Sequence, residues 1–236
     1  METELWPGYL GTARRKGRQQ ITRAYRHRAT SRLYKSKRSS WMSASGLIAI
    51  GSATERCAIS HMHIATTGRV RIRWLARDDA RFILRLLNDE AWIRFIGDKN
   101  VHSIADAVRY LEAGPLAMYA RHRHGLYAVE LKDTGQPMGL CGLLLRDGWE
   151  EVDLGFALLP EFRKHGYAEE AARATLAYGR KALALQRVVA ITDPENERAR
   201  RLLCRLGLRD QGLRRMPGFE VPLGYFAVDY PAECLP

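Results

Sequence analysis

The chain has 236 residues, 46% of them hydrophobic, and a formal net charge of +12. That suits one good-sized domain with a real core, or a domain plus a tail, and no apolar run approaches the roughly 20 residues of a membrane helix, so a helical membrane protein is excluded. Cys57, Cys141, Cys204 and Cys234 lie far apart with no C-x-x-C pair, which speaks against a zinc site, a redox motif or a disulfide framework and fits a reducing cytoplasm.

The charge is unevenly placed. Residues 1–68 hold twelve basic residues and only three acidic ones, so the remainder is nearly balanced. From Arg14 to Ser40 the composition is Arg, Lys, Ser, Thr and Gln with few apolar residues. Such a segment buries too little surface to offset its ordering entropy. We therefore read residues 1–68 as a basic, disordered N-terminal extension and 69–236 as the folded domain. Three roles stay open for the extension: an arm touching RNA, ribosome or a membrane surface; a targeting peptide; or no role, with Met42 or Met62 as the true start.

Within the domain, Val70 to Leu75 alternates and reads as a first strand. Asp78 and Asp79 then supply an N-cap for a helix carrying Ile83, Leu86 and Leu87. Ser103-Ile104-Ala105-Asp106 resembles a capping box, with Ile104, Ala107, Val108 and Leu111 as the apolar stripe and Gly114-Pro115 as the stop. Arg121-His122-Arg123-His124 reads as a solvated basic loop, a poor zinc site for want of nearby Cys or carboxylate. Three strands follow as an antiparallel meander: Tyr127–Leu131, Met138–Leu145 and Glu151–Leu158, joined at Asp133-Thr134-Gly135 and Asp147-Gly148. Cys141 alternates into the core. Tyr167–Leu183 is a strong amphipathic helix with Glu169 and Glu170 in its first turn and Arg180 and Lys181 in its last, matching the helix dipole. Val188–Ile191 is a short buried strand, Asn196 caps a last helix stopped by Gly207, and Leu223–Asp229 is a final strand. Cys204 lies off the stripe of that helix. The order β-α-α-β-β-β-α-β-α-β is a mixed α/β layer with about four helices.

The chemistry-bearing stretch runs from Val152 to Ala168. A strand ends, a short loop follows, and a helix begins at a glycine. Free N–H groups at a helix start favour anions, Gly166 lets the backbone approach a ligand closely, and Arg163 and Lys164 add positive charge. Physically this is a pyrophosphate cradle.

Arg163-Lys164-His165-Gly166-Tyr167-Ala168 resembles the R/Q-x-x-G-x-G/A signature of the GNAT superfamily of N-acetyltransferases. Asn196-Glu197-Arg198-Ala199, followed by Leu206-Gly207-Leu208, is similar to the family's second motif, and the span from Arg71 to Tyr230 matches its element order. Among its branches the sequence looks most like the ribosomal-protein-alanine acetyltransferase-like group. The resemblance implies a GNAT-like fold whose mostly antiparallel sheet is splayed at an acetyl-CoA site. It implies a co-substrate, acetyl-CoA, held by Phe156, Leu158, Arg163, Lys164, His165, Gly166, Tyr167, Ala168 and Asn196, with no metal. The acceptor would be a primary amine, on a small molecule or a protein N-terminus, attacking the thioester directly. Two departures stand out: Ala199 where the branch often has Ser, and Leu203 where other branches carry a Tyr general acid. Alternation places Glu151, Asp153, Gly155 and Ala157 on one face of their strand, so Asp153 is the first candidate for general base or amine-orienting group and Glu151 the second. A weak or absent base would favour amines of low pKa. Two other functions compete: a CoA-binding module without catalysis, and an RNA- or ribosome-associated protein working through its basic arm. The oligomer would be a monomer or homodimer.

Overall fold

The sheet starts one strand earlier than the sequence suggests. The computed structural model describes residues 62–231, and its first element is β1 (His63–Thr66), hydrogen-bonded antiparallel to β2 (Val70–Trp74). The sheet therefore begins inside the segment read as extension. Its four residues, His-Ile-Ala-Thr, are exposed at both ends and half-buried between, and carry no alternation that would betray them. The basic stretch before them, Cys57 and Cys234 lie outside the described residues.

After β2 the chain turns through Arg77–Asp79 into α1 (Ala80–Leu87), which buries Ile83, Leu86 and Leu87. The expected Asp79 side-chain cap is not made. Its carboxylate instead accepts two bonds from the buried Arg73 guanidinium at 2.8 and 2.9 Å and one from the Ala76 amide at 2.8 Å. Glu130 accepts from Arg73 Nε at 2.8 Å, completing a buried charge network. A buried arginine needs such partners, and that demand outranks a local cap.

Two short helices were not foreseen. α2 (Glu90–Phe95) is capped by Asp89, which accepts from the Ala91 and Trp92 amides. α3 (Ile104–Leu111) has the expected Ser103 cap, but its buried face is Ala107, Tyr110 and Leu111, while Ile104 is exposed. Gly114-Pro115 does not stop this helix. The backbone widens into a π turn over Glu112–Leu116 and continues as α4 (Ala117–His122), ending at Arg123 in a left-handed conformation. A π turn relocates the i→i−4 bonds that proline disrupts. His124, expected in a solvated loop, is buried, with Nδ1 2.7 Å from the Leu143 carbonyl.

The meander is as expected: β3 (Leu126–Leu131), β4 (Pro137–Leu145) and β5 (Val152–Leu158), all antiparallel. α5 (Tyr167–Ala182) then crosses over to β6 (Arg187–Thr192), α6 (Glu197–Arg205) follows, and β7 (Arg209–Arg214) precedes β8 (Leu223–Asp229). β7 escaped notice because all six of its residues are exposed, so no buried face patterns it. The sheet order is β1-β2-β3-β4-β5-β6-β8-β7, antiparallel throughout except between β5 and β6. α5 packs tightly on β4: a Cβ at Gly179 would meet Leu143 Cδ1 at 2.7 Å, so a larger residue there would force the Leu143 side chain to move. Cys141 lies buried beside Thr175, its thiol pushed up to about 12 by burial, and Cys204 is exposed. Among the described residues no helix is long and apolar enough to cross a membrane.

Candidate functional site

The parallel pair at the centre of the sheet is barely a pair. β5 and β6 are joined at one register position, Asp153 with Val189. Beyond it the strands part, and β5 runs on to Leu158 with one edge unpartnered. Which groups face that opening follows from the β4–β5 ladder. Leu159 N–H bonds the Met138 carbonyl at 2.8 Å. In an antiparallel ladder successive amides alternate sides, so Asp153, Gly155 and Ala157 bond toward β4, while Leu154 turns its amide to β6 at the Asp153–Val189 pairing and, beyond it, Phe156 and Leu158 present theirs to the gap. The gap opens into a cleft of about 870 Å³ whose walls include β5, the loop after it, the start of α6, α2 and the β7–β8 loop.

At the cleft's upper end the chain leaves β5, passes Pro160–Phe162 and enters α5. Lys164 (φ 67°) and Gly166 (φ 82°) both take the left-handed conformation, and Gly166 is the N-cap. No side chain caps this helix, so its first amides aim outward at its positive end. Lys164, Gly166, Tyr167 and Ala168 line the cleft, whereas the exposed His165 side chain does not. Arg163 does different work from a free cation. Its Nε donates to the Leu158 carbonyl at 2.9 Å and its Nη2 pairs with Asp89, the α2 cap. It thus ties the end of β5 to the loop and to α2.

A residue absent from the sequence reading braces this loop from behind. Arg69, in the β1–β2 turn, pairs with Glu170 at 2.7 Å, donates to the His165 carbonyl at 3.0 Å, and lies 4.8 Å from the Tyr167 ring centroid. Thr67 and the Arg69 amide hold the same Glu170 carboxylate at 2.6 and 2.9 Å. Only the tertiary fold brings residue 69 to residue 166.

Asn196 borders the opposite wall and caps α6 through the Ala199 amide at 3.1 Å. Ala199 and the buried Leu203 also line this wall, so no hydroxyl stands at either position.

The two candidate carboxylates separate. Asp153 is on the cleft wall but 1% exposed, its Oδ2 held by Arg146 Nε at 2.8 Å and Nη2 at 2.5 Å and its Oδ1 reached by the Ile191 amide at 3.3 Å. Glu151 is outside the cleft, bonded to Arg187 at 2.7 Å and to the Tyr225 hydroxyl. Burial pushes its carboxyl up, but those two hydrogen bonds outweigh it and hold the group below the usual glutamate range. Arg146 in turn lies near the rings of Trp149 (5.4 Å) and Phe219 (5.9 Å). Lys99, on the loop after α2, also lines the cleft, and burial and the charge of Arg146 lower its pKa against the opposing charge of Asp98.

Comparison with known proteins agrees with this geometry. A family model described as an acetyltransferase (GNAT) domain matches residues 69–209. YoaA of Bacillus subtilis (strain 168), described as an uncharacterized N-acetyltransferase, is 28% identical over 153 residues, 64% of this chain and 86% of that protein. Spermidine N(1)-acetyltransferase of Escherichia coli (strain K12) is 26% identical over 148 residues, 61% of this chain and 74% of that one. In fold, the ribosomal-protein-S5-alanine acetyltransferase of Vibrio fischeri matches with a TM-score of 0.60 at 17% identity, over 71% of this chain and 97% of that one.

Proposed function

The chain belongs to the acetyltransferase (GNAT) domain family and is an acetyl-CoA-dependent N-acetyltransferase; from that premise we propose that it transfers the acetyl group to a primary amine by direct attack in the β5–β6 gap. The observation that carries this reading is the parting of β5 from β6 after Asp153–Val189, directly below an uncapped helix start in a left-handed glycine turn. A diphosphate suits that turn, because the amides of an uncapped helix start and Lys164 line the cleft there and Gly166, at φ 82°, holds the left-handed turn without a side chain in the approach. In this reading Lys164, Gly166, Tyr167 and Ala168 hold the diphosphate. The amides of Phe156 and Leu158 hold the pantetheine arm, and Asn196 borders it from α6. Bound there, acetyl-CoA supplies an activated acetyl thioester.

The chain's own groups set how the amine must arrive. Asp153 has both oxygens engaged, so we assign it the positioning of Arg146 rather than proton abstraction. Without a dedicated base the acceptor has to be neutral on arrival. An α-amine with a pKa near 8 is about one-tenth neutral at pH 7, whereas a lysine amine near 10.4 is neutral to about one part in a few thousand. This favours an α-amine or another amine of low pKa. With Ala199 and Leu203 in place of hydroxyl residues, solvent serves as the proton donor to the departing thiol. The likenesses above leave the acceptor open, since one relative's name specifies spermidine and one neighbour's a ribosomal protein.

The test is thiol release from acetyl-CoA with a panel of primary amines, beside calorimetric CoA binding. Turnover with α-amines ahead of lysine side-chain amines is expected. Tight CoA binding with no turnover on any amine would overturn the catalytic reading in favour of a binding module.

A further inference from the structure

α2 has little of its own to hold it in place. Its six residues are too few to be stable as a helix in water, and Trp92 is its one buried residue. Ile93 and the C-cap Ile96 are exposed. Arg94 reaches Glu195 only at 3.5 Å with both side chains mostly exposed, a pairing worth little. Asn88, just ahead of the helix, bonds the Leu84 and Val101 carbonyls rather than β5. Yet α2 walls the cleft through Ala91, Trp92, Arg94 and Phe95. In the reading above, β5, the glycine turn and α6 take the cofactor, so this wall is left to the acceptor.

The polar tie from α2 to β5 runs through the Arg163 guanidinium. Its Nε donates to the Leu158 carbonyl at 2.9 Å, and its Nη2 donates to Asp89, 74 residues away in sequence. Asp89 Oδ2 also accepts the Ala91 and Trp92 amides, each at 3.1 Å, and its side chain is only 7% exposed. A continuous path therefore leads from Leu158, whose amide faces the gap, through one planar fork to the first turn of α2. The fork is rigid and its bond to the carboxylate is charge-assisted, so the path fixes a distance. A cap alone would not need this residue, since Ser and Asn cap a helix about as well as Asp. We propose that Asp89 is a positioning residue for acetyl transfer: through Arg163 it sets how far the α2 wall, and the amine lying on it, stands from the thioester at the end of β5. This rests on the acetyl-transfer reading above.

The experiment follows thiol release from acetyl-CoA with a panel of primary amines, alaninamide and spermidine among them, beside calorimetric CoA titration and thermal melts. It uses the intact wild type, Asp89→Ser, Asp89→Asn, Arg163→Met and the double variant Asp89→Ser/Arg163→Met. Ser keeps α2 capped but is too short and uncharged to hold Arg163, whereas Asn keeps the cap and offers Arg163 a neutral acceptor. A wall displaced by about 1 Å predicts that kcat/KM for the amine falls about 10- to 100-fold in Asp89→Ser. The fall should be smaller in Asp89→Asn, with CoA affinity at the wild-type value in both. The double variant should lose no more than Arg163→Met alone, because the two residues act as a unit. Wild-type kcat/KM in Asp89→Ser would reduce Asp89 to a cap and overturn the proposal. So would a loss that tracks CoA affinity, which would place the pair in cofactor binding, or losses that add in the double variant. Each of these leaves acetyl transfer standing. Should Asp89→Ser fail to fold, Asp89→Asn carries the same comparison. No thiol release by the wild type with any amine overturns the acetyl-transfer reading and this proposal with it.

Discussion

Replacing Gly166 with alanine isolates the cofactor loop from everything else. Gly166 has φ 82° and caps α5 from the left-handed region. An L-residue there costs roughly 1–2 kcal/mol. Sterics add little, because the new Cβ would meet only the far end of Arg69, at 3.3 Å. The strain has two outlets. If the turn keeps its shape, the folded state bears the whole cost, and the melting temperature falls by about 2–8 °C for a domain of this size. CoA affinity is then unchanged. If the turn relaxes toward right-handed backbone, stability is kept but the amides rotate off the cleft, and CoA affinity falls by about 5- to 30-fold, the same free energy seen in binding. Calorimetric CoA titration and thermal melts on one preparation measure both. The two losses, in free energy, should together come to roughly 1–2 kcal/mol. A Gly166→Ala protein with wild-type melting and wild-type CoA affinity would refute the assignment of this turn as the strained cradle.

Three further outcomes follow from contacts away from that turn. Arg69→Met removes the brace on His165 and Glu170. With Arg69 about half exposed, a discounted loss of about 1 kcal/mol should raise the KM for acetyl-CoA about fivefold at unchanged kcat, read from initial rates. Glu151→Gln should leave kcat unchanged and lower stability by roughly 0.5–1 kcal/mol in urea melts at pH 7. Because Glu151's carboxyl is held below its ordinary value of 4.5, that difference should be full above pH 4.5 and vanish as the pH falls through the folded value; a large kcat loss would return Glu151 to the chemistry. His124 is buried against the Leu143 carbonyl, and burial lowers its pKa from 6.5. The unfolded chain therefore binds a proton more readily just below pH 6.5, so His124 stabilises above that pH and loses its contribution as the pH drops toward the folded value. Wild-type melting should consequently approach that of His124→Gln between pH 7.5 and 5.5, and a constant gap would contradict it.

The sequence by itself determined the meander, the crossover helix and the cradle, because each is written in local pattern. Apolar runs bounded by the Asp133-Thr134-Gly135 and Asp147-Gly148 turns mark β3 and β4, alternation marks β5, the spacing of Ala171, Ala172, Thr175 and Leu176 marks α5, and a glycine between a strand and a helix marks the anion turn. It could not mark β1 or β7, which show no buried face, nor α2 and α4, six residues each and too short for a period to emerge. It placed Gly114-Pro115 as a stop because proline rules are local, whereas packing of Tyr110 and Tyr119 on either side carries the helix through a π turn. The site divides along the same line. Phe156, Leu158 and the loop residues were legible as contiguous backbone. Arg69 and Arg146 were not, since each comes from a separate segment, Arg69 to the back of the loop and Arg146 to the cleft wall, and has meaning only beside Glu170 or Asp153. Asp153 shows the reason most directly: alternation put it on the correct face of β5, but whether a carboxylate there takes a proton or holds an arginine is decided by what lies across from it, and that is set by how the strands and hairpins pair in three dimensions.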